Sequence, residues 1–288
     1  DRIGYPVMLK ARSGGGGRGI RLAQSSEELR MAFPNAVAEA EAAFGDGAVY
    51  IEKCITPAHH IEVQILADET GNVIALGERD CSIQRHHQKL LEETPSPAVS
   101  MKQRKKLLET VEIAIRKIGY TGAGTLEFLM DSSGNFWFME MNVRLQVEHG
   151  VTESLTGIDL VKWQIRIAAG VPIDFTHDDV RLSGSAIECR INALSTGHVS
   201  MVHIPSGPFV RFDTFLENGT DISPYYDSLL GKLIVYSRNR EGAIRKMRAY
   251  LCELLIDGVD TNIEEQLSII GDPRFTSGHY DTDFMETR

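Results

Sequence analysis

Apolar residues fall in short runs or in strict alternation over much of this chain, and the two periods predict different elements. Residues 5–11 and 20–23 read as short strands on either side of a glycine run. Ser25 or Ser26 is a helix N-cap for residues 27–44, with Glu28 in the first turn. Strands are expected over 48–53 and 60–67, then over 72–78 after the turn Glu69-Thr70-Gly71-Asn72. Helical spacing of Leu107, Val111, Ala114 and Ile118 predicts a helix over 101–117. Strands 122–130 and 135–141 flank Asp131-Ser132-Ser133-Gly134, a strong hairpin signal. A helix over 158–169 ends at Gly170; beyond about 182 strands and turns lead to a helix over 241–255. The best domain cut lies near 171–182.

With 288 residues, the chain has room for about two domains. Hydrophobic residues at 42% and charged residues at 24% allow a sizeable core. The net charge of −10 argues against nucleic acid as the main partner, since the phosphate backbone would be repelled. No apolar run approaches the roughly 20 residues of a membrane span. Four widely spaced cysteines without a C-x-x-C pair fit a reduced, cytosolic setting. The chain opens without Met and enters a strand almost at once, so it is expected to be a piece of a longer protein.

Four groups of residues carry candidate chemistry. Ser13 through Gly19 lacks the G-K-[S/T] ending of a P-loop and sits between strands. Its bare amides would let a phosphate approach, with Lys10 as the point charge; a plain surface turn is the alternative. In the hairpin, a turn centred between Ser133 and Gly134 puts Glu127 opposite Glu140. Two such carboxylates repel unless a cation lies between them. With Asn142 two residues on, they suit Mg²⁺ or Mn²⁺ rather than zinc; a solvated polar face is the alternative. His60, Glu62 and Gln64 share one strand face, which alone reads as solvated, and residues 84–89 concentrate donors beside it. Finally, Glu140, Asn142, Arg144, Gln146 and Glu148 line one face if the chain stays extended. Arg144 would then hold a small oxyanion and Glu148 would take its proton.

Taken together, these stretches resemble the biotin carboxylase family. The likeness is carried by Lys10 with Gly14–Gly19, Glu52-Lys53, residues 60–64 and Glu78 through Arg85, then His87-Gln88-Lys89 and Glu140 through His149. Glu188 through Ala193, Tyr225 through Ser228, Gly231-Lys232-Leu233 and Asp257 through Asn262 extend it to the C-terminal part. The resemblance implies an α+β chain with an ATP-grasp fold: a lid subdomain over 1–54 (its start truncated), a core over 55–174, and a biotin carboxylase C-terminal domain over 182–288. It implies that MgATP activates bicarbonate to carboxyphosphate, which releases CO₂ and phosphate, that the phosphate takes the N1 proton of biotin, and that the resulting enolate attacks the CO₂. Lys10, Gly16 and Gly17 would bind phosphates, and Glu52, Lys53, Ile55 and His60 the adenosine. Gln84 and His87 would lie near the ribose and phosphates. Glu127, Glu140 and Asn142 would hold Mg²⁺ or Mn²⁺. Lys89, Arg144, Gln146 and Val147 would bind bicarbonate, Glu148 would deprotonate it, and Arg190 would stabilise the enolate.

The implied partners are a biotin carboxyl carrier protein or domain and a carboxyltransferase, with a homodimer in the full-length parent. The implied acceptors are acetyl-CoA, as in fatty acid biosynthesis, or propionyl-CoA or pyruvate. His59, His86, Val143, Gly150 and the stretch 194–203 depart from the family's usual residues without removing a catalytic group. An N-terminal domain of the family is missing, so weak or no turnover is expected from this piece alone. Two other readings are a carbamoyl-phosphate synthetase-type ligase and a non-catalytic nucleotide-binding fragment.

Overall fold

The computed structural model describes residues 3–14 and 20–288, so Gly16, Gly17 and most of the glycine run lie outside the described residues. Chain contacts divide it into two compact units, Asp1–Thr56 and Pro57–Arg288.

In the first unit β1 (Val7–Ala11) lies between β2 (Ile20–Ala23) and β3 (Val49–Lys53), antiparallel to both. Val7, Leu9 and Ala11 alternate inward, as the period of two requires. Helix α1 (Ser26–Phe44) starts where Ser25 accepts a hydrogen bond from the Glu28 amide, and it ends at Gly45 in the left-handed region.

The second unit is built on one eight-stranded antiparallel sheet. Its strands from the N-terminal side are β4 (Ala58–Ala67), β5 (Val73–Arg85), β6 (Gln88–Thr94), β7 (Gly122–Asp131) and β8 (Phe136–Asn142). Helix α2 (Met101–Ile118) lies between β6 and β7, opened by a capping box of Ser100 and Gln103 and closed at Gly119 with φ +65°. After β8 come α3 (His149–Thr156), α4 (Leu160–Ala168) and β9 (Ser185–Asn192). Short strands β10 (Gly197–His198) and β11 (Met201–His203) precede β12 (Val210–Thr214). Then follow β13 (Asp221–Ile222), β14 (Leu229–Ser237), α5 (Arg240–Glu253) and β15 (Leu255–Asp257). Two helices, α6 (Ile263–Ile270) and α7 (Pro273–Ser277), close the chain.

The sheet order is β12-β14-β9-β6-β5-β4-β7-β8. Because β6 pairs with β9, the sheet runs unbroken from residues before the expected 171–182 cut to residues after it. One face of β4, Ile61, Val63 and Ile65, packs under Leu107, Leu108, Val111 and Ile115 of α2. Leu66, on the other face, packs with Leu160, Trp163 and Ile167 of α4. A third cluster joins β6, β9 and β14 to Met247, Leu251, Ile270, Phe275 and Phe284 of the last helices and tail.

Several expectations change here. β5 continues well past residue 78, and β6 was not foreseen. A two-residue turn at His86-His87 joins them, both residues carrying positive φ (51° and 63°). That is an unusual conformation for side chains other than Gly or Asn. The chain also does not stay extended through Glu148. β8 ends at Asn142, residues 143–148 turn, and α3 begins at His149.

Candidate active site

Strand register brings the site together. Arg79 of β5 pairs with Glu62 of β4, Glu62 with Glu127 of β7, and Glu127 with Glu140 of β8. One row of four strands therefore carries three carboxylates and a guanidinium on one face. The next row holds Gln64, Thr125 and Asn142. Glu127 faces Glu140 as expected, but not through the register of the turn. Nearer the turn Met130 pairs with Phe136 and Phe128 with Phe138, one residue out of step with a turn centred between Ser133 and Gly134, and a bulge between Phe128 and Glu127 restores the expected pairing.

The β4 face with His60, Glu62 and Gln64 is buried, not solvated. Its cover comes from Arg79, which has no exposed surface and reaches Glu62 at 2.5 Å and both Gln64 and Thr152 at 2.9 Å. A guanidinium has five donors in a fixed plane, which suits it to satisfy several buried acceptors at once. Burial opposes the charge on both partners, yet the Arg79 and Lys89 charges hold the Glu62 carboxyl far below its usual range.

Lys89 is the second hub. Its ammonium donates to Glu62 at 2.7 Å, Glu148 at 2.5 Å and, at longer range, Glu127 at 3.5 Å. Burial works against an ammonium, but the three carboxylates outweigh it and raise its pKa well above the usual value. Glu148, with 2% of its surface exposed, also accepts from Arg190 at 3.0 Å. Arg190 donates through Nε to Glu92 at 2.7 Å. A carboxylate clasped by Lys89 and Arg190 marks a place where a small anion meets two positive charges and one base.

Glu127 sits at the centre of a polar cage. It accepts from Gln146 at 2.7 Å, Asn142 at 2.9 Å and His60 Nε2 at 3.0 Å. Gln84 Nε2 donates to the Cys81 carbonyl at 2.7 Å and to His60 Nδ1 at 2.6 Å. Nδ1 is therefore an acceptor, and the imidazole hydrogen lies on Nε2, facing Glu127. Burial would raise the Glu127 carboxyl, but the His60 hydrogen bond and the Lys89 charge bring it down to about 2.

A depressed carboxyl contributes stability above its unfolded value and loses it as pH falls toward the folded one. Acid denaturation should therefore steepen as pH drops from about 4.5 to about 2. Glu127→Gln should flatten that limb in urea titrations taken across the range. An unchanged acid limb would show that Glu127 is not held in this way.

The residues fit a divalent cation at the hairpin. Glu127 is kept ionised, and Glu140, exposed directly opposite, has no cationic partner among the described residues. Asn142 turns its Nδ2 to Glu127 and its Oδ1 to Arg144 at 3.3 Å, so its oxygen ligates only if Arg144 lets go. His60, Glu62 and Glu127 also bring ligand atoms within 4.8 Å of one another, but Glu62 is already paired with Arg79 and Lys89.

Arg144 is exposed and donates to the Leu145 carbonyl at 3.3 Å, and His87 is exposed at its turn. Val147 offers its carbonyl to Lys232 Nζ at 2.6 Å. In the first unit Lys10 pairs with Glu52 at 2.5 Å, Lys53 donates to the Tyr5 carbonyl at 2.8 Å, and Ile55 is half-buried. Arg79, Glu92, Thr125, Thr152 and Lys232 were not singled out from sequence as site residues. For Arg79, Glu92 and Lys232 the available signal was a charged residue inside a strand, and nothing in the sequence marked Thr125 or Thr152.

Comparison with known proteins identifies relatives of the whole chain. Residues 1–176 match the family described as carbamoyl-phosphate synthase L chain, ATP binding domain. Residues 188–287 match the biotin carboxylase C-terminal domain. The chain is 52% identical over 292 residues to a biotin carboxylase of Nostoc sp., covering 99% of this chain and 65% of the relative. It superposes with a TM-score of 0.96 and 47% identity on the biotin carboxylase domain dimer of Hydrogenobacter thermophilus 2-oxoglutarate carboxylase, a complex with MgADP, ADP and bicarbonate. That match covers 99% of this chain and 65% of the other. A biotin carboxylase from Campylobacter jejuni in a β-γ-ATP complex gives a TM-score of 0.97 at 44% identity, covering 100% and 66%. The chain thus spans about 65% of the length of the relatives it matches.

Proposed function

Since the chain belongs to the family of carbamoyl-phosphate synthase L chain ATP-binding domains, of ATP-grasp fold, and carries a biotin carboxylase C-terminal domain, we propose that it performs ATP-dependent carboxylation of biotin with bicarbonate. The observation that carries this reading is the buried clasp of Glu148 between Lys89 and Arg190, beside the ionised Glu127. Bicarbonate is a small oxyanion with one proton to lose. Lys89, Arg144, Gln146 and Val147 bind it, and Glu148 takes the proton as the bicarbonate oxygen attacks the γ-phosphate, ADP leaves and carboxyphosphate forms. Arg190 faces the negative charge that develops on the biotin ureido oxygen, where a fixed donor lowers the barrier most.

Glu127, Glu140 and Asn142 hold the divalent cation, Mg²⁺ or Mn²⁺, which when bound neutralises phosphate charge. His60, fixed by Gln84, orders Glu127 and contacts the nucleotide, with His87 near the ribose and phosphates. Lys10, Gly16 and Gly17 on the phosphates, and Glu52, Lys53 and Ile55 on the adenosine, belong to the same reading. We read 55–174 and 182–288 as two modules sharing one sheet. A biotin carboxyl carrier, a carboxyltransferase and a second copy of the chain are the expected partners, in a cytosolic setting. No helix among the described residues is long and apolar enough to cross a membrane.

A ligase passing carboxyphosphate to ammonia is not favoured, because the match extends through the biotin carboxylase C-terminal domain. Label transfer tests the reading. With MgATP and labelled bicarbonate, acid-labile label should appear on biotin. Label passing to ammonia but not to biotin would overturn it.

A further inference from the structure

Behind the Lys89–Glu148–Arg190 clasp lies a pair of acids that the reaction above does not use. Glu92 of β6 and Glu188 of β9 stand directly opposite in register, and neither has any exposed surface. Both carboxyl oxygens of Glu188, and Oε2 of Glu92, lack a hydrogen-bond partner among the described residues. The other Glu92 oxygen accepts from Arg190. Orphaned polar atoms at zero exposure are rare in folded proteins and call for an explanation.

The groups facing Glu188 from every side offer it no donor. On β14, Lys232 is taken by the Val147 carbonyl at 2.6 Å and by Asp213 at 3.5 Å, and Ile234, opposite Glu188, is apolar. On its own strand Arg190 is engaged by Glu92 and Glu148. At the start of α3, Glu148 is itself an acceptor, and a Cβ at Gly150 would lie 3.5 Å from Glu188 Oε2, so the backbone there closes the space. The neighbourhood already holds Glu62, Glu92, Glu127 and Glu148 against Arg79, Lys89 and Arg190. An ionised Glu188 would add a further unpaired negative charge where water cannot screen it.

We propose that Glu188 is kept as a neutral acid whose O–H donates to Glu92, and that this pair is a positioning device for Arg190. One proton gives Glu92 Oε2 and one Glu188 oxygen a partner, and it leaves the other Glu188 oxygen an uncharged carbonyl. It also leaves Glu92 a single negative charge aimed at Arg190 Nε, so the guanidinium is pinned from behind and its outer edge stays with Glu148 and an arriving anion. Burial, reinforced by the Glu92 charge, pushes the Glu188 carboxyl well above its usual range, in the same direction. The proton pair stands on the geometry alone, whereas its use in catalysis rests on the function proposed above.

Infrared spectroscopy of the whole chain above neutral pH tests the proton directly. Wild type should show the carbonyl band of a protonated carboxylic acid, and E188Q should lack it. Thermal melting tests the sign. A carboxyl raised on folding contributes stability below its unfolded value, near 4.5, and loses it as pH climbs toward the folded value. E188Q, neutral at every pH and still a donor to Glu92, should therefore gain on wild type as pH rises, reaching a Tm advantage of about 2–4 °C. Glu188→Leu removes the donor and should raise the KM for biotin above that of E188Q. A wild type without the band, or an E188Q that falls further below wild type as pH rises, would overturn the proposal. A band in wild type with label passing to ammonia but not to biotin would leave the acid pair standing and overturn the function reading instead.

Discussion

Arg79→Met is expected to lower the stability of the second unit by about 3–5 kcal/mol, the range for removing one partner of a buried ion pair. Arg79 and Glu62 are both fully buried, and the guanidinium also reaches Gln64, Thr125, Gln146 and Thr152. Without it, Glu62 keeps only Lys89, directly beside Glu127. Several acceptors from four different segments then lose their donor together. Arg79→Lys should fall between the two, because an ammonium restores the charge but not the planar fork. Urea unfolding measures the loss, with Lys105→Ala as the comparison. The Lys105–Glu109 pair is exposed and 4.0 Å apart, so its removal should cost under about 0.5 kcal/mol. Equal effects from Arg79→Met and Lys105→Ala would contradict this account of the site's scaffold.

The second large effect concerns chemistry. Glu148→Gln should reduce the rate of biotin carboxylation by roughly 10²–10⁴-fold, the usual loss when a general base is removed. Binding of MgATP should change little, because the residues proposed to hold the nucleotide and metal are different ones. The amide oxygen can accept from Lys89 or from Arg190 but not from both, its NH2 facing the other donor, and it cannot take a proton. The effect should therefore appear in kcat more than in the KM for ATP. Calorimetry of MgADP binding beside single-turnover kinetics separates the two. A variant that loses nucleotide affinity in proportion to its rate would make Glu148 a structural member of the clasp instead.

Turn chemistry made the hairpin legible in the sequence, but not its register. Asp131 through Gly134 mark the turn, yet the pairs nearest it are one residue out of step with the expected register, and Glu127 faces Glu140 because a bulge at Phe128 makes up the difference. The first two helices were legible too, one from its serine cap near residue 25 and the other from the apolar spacing over 101–117. The burial of the β4 face was not. A period of two tells which residues share a face, but not whether water or protein covers it. Here the cover is Arg79 from the next strand and Thr152 from α3, far along the chain. The alternation from Glu140 to Glu148 misled for a related reason. Apolar residues at 143, 145 and 147 continue the pattern, yet Val143 and Val147 are exposed where the chain turns out of the sheet. Glu148 still reaches the site, drawn in by Lys89 and Arg190 rather than by strand periodicity.

ADP release from MgATP and bicarbonate, with and without free biotin, tests the central claim most directly when wild type and Glu148→Gln are measured side by side. The account predicts release, weak from this piece alone, that biotin stimulates in wild type and that the variant loses. Release indifferent to biotin, or equal in the two proteins, would contradict it.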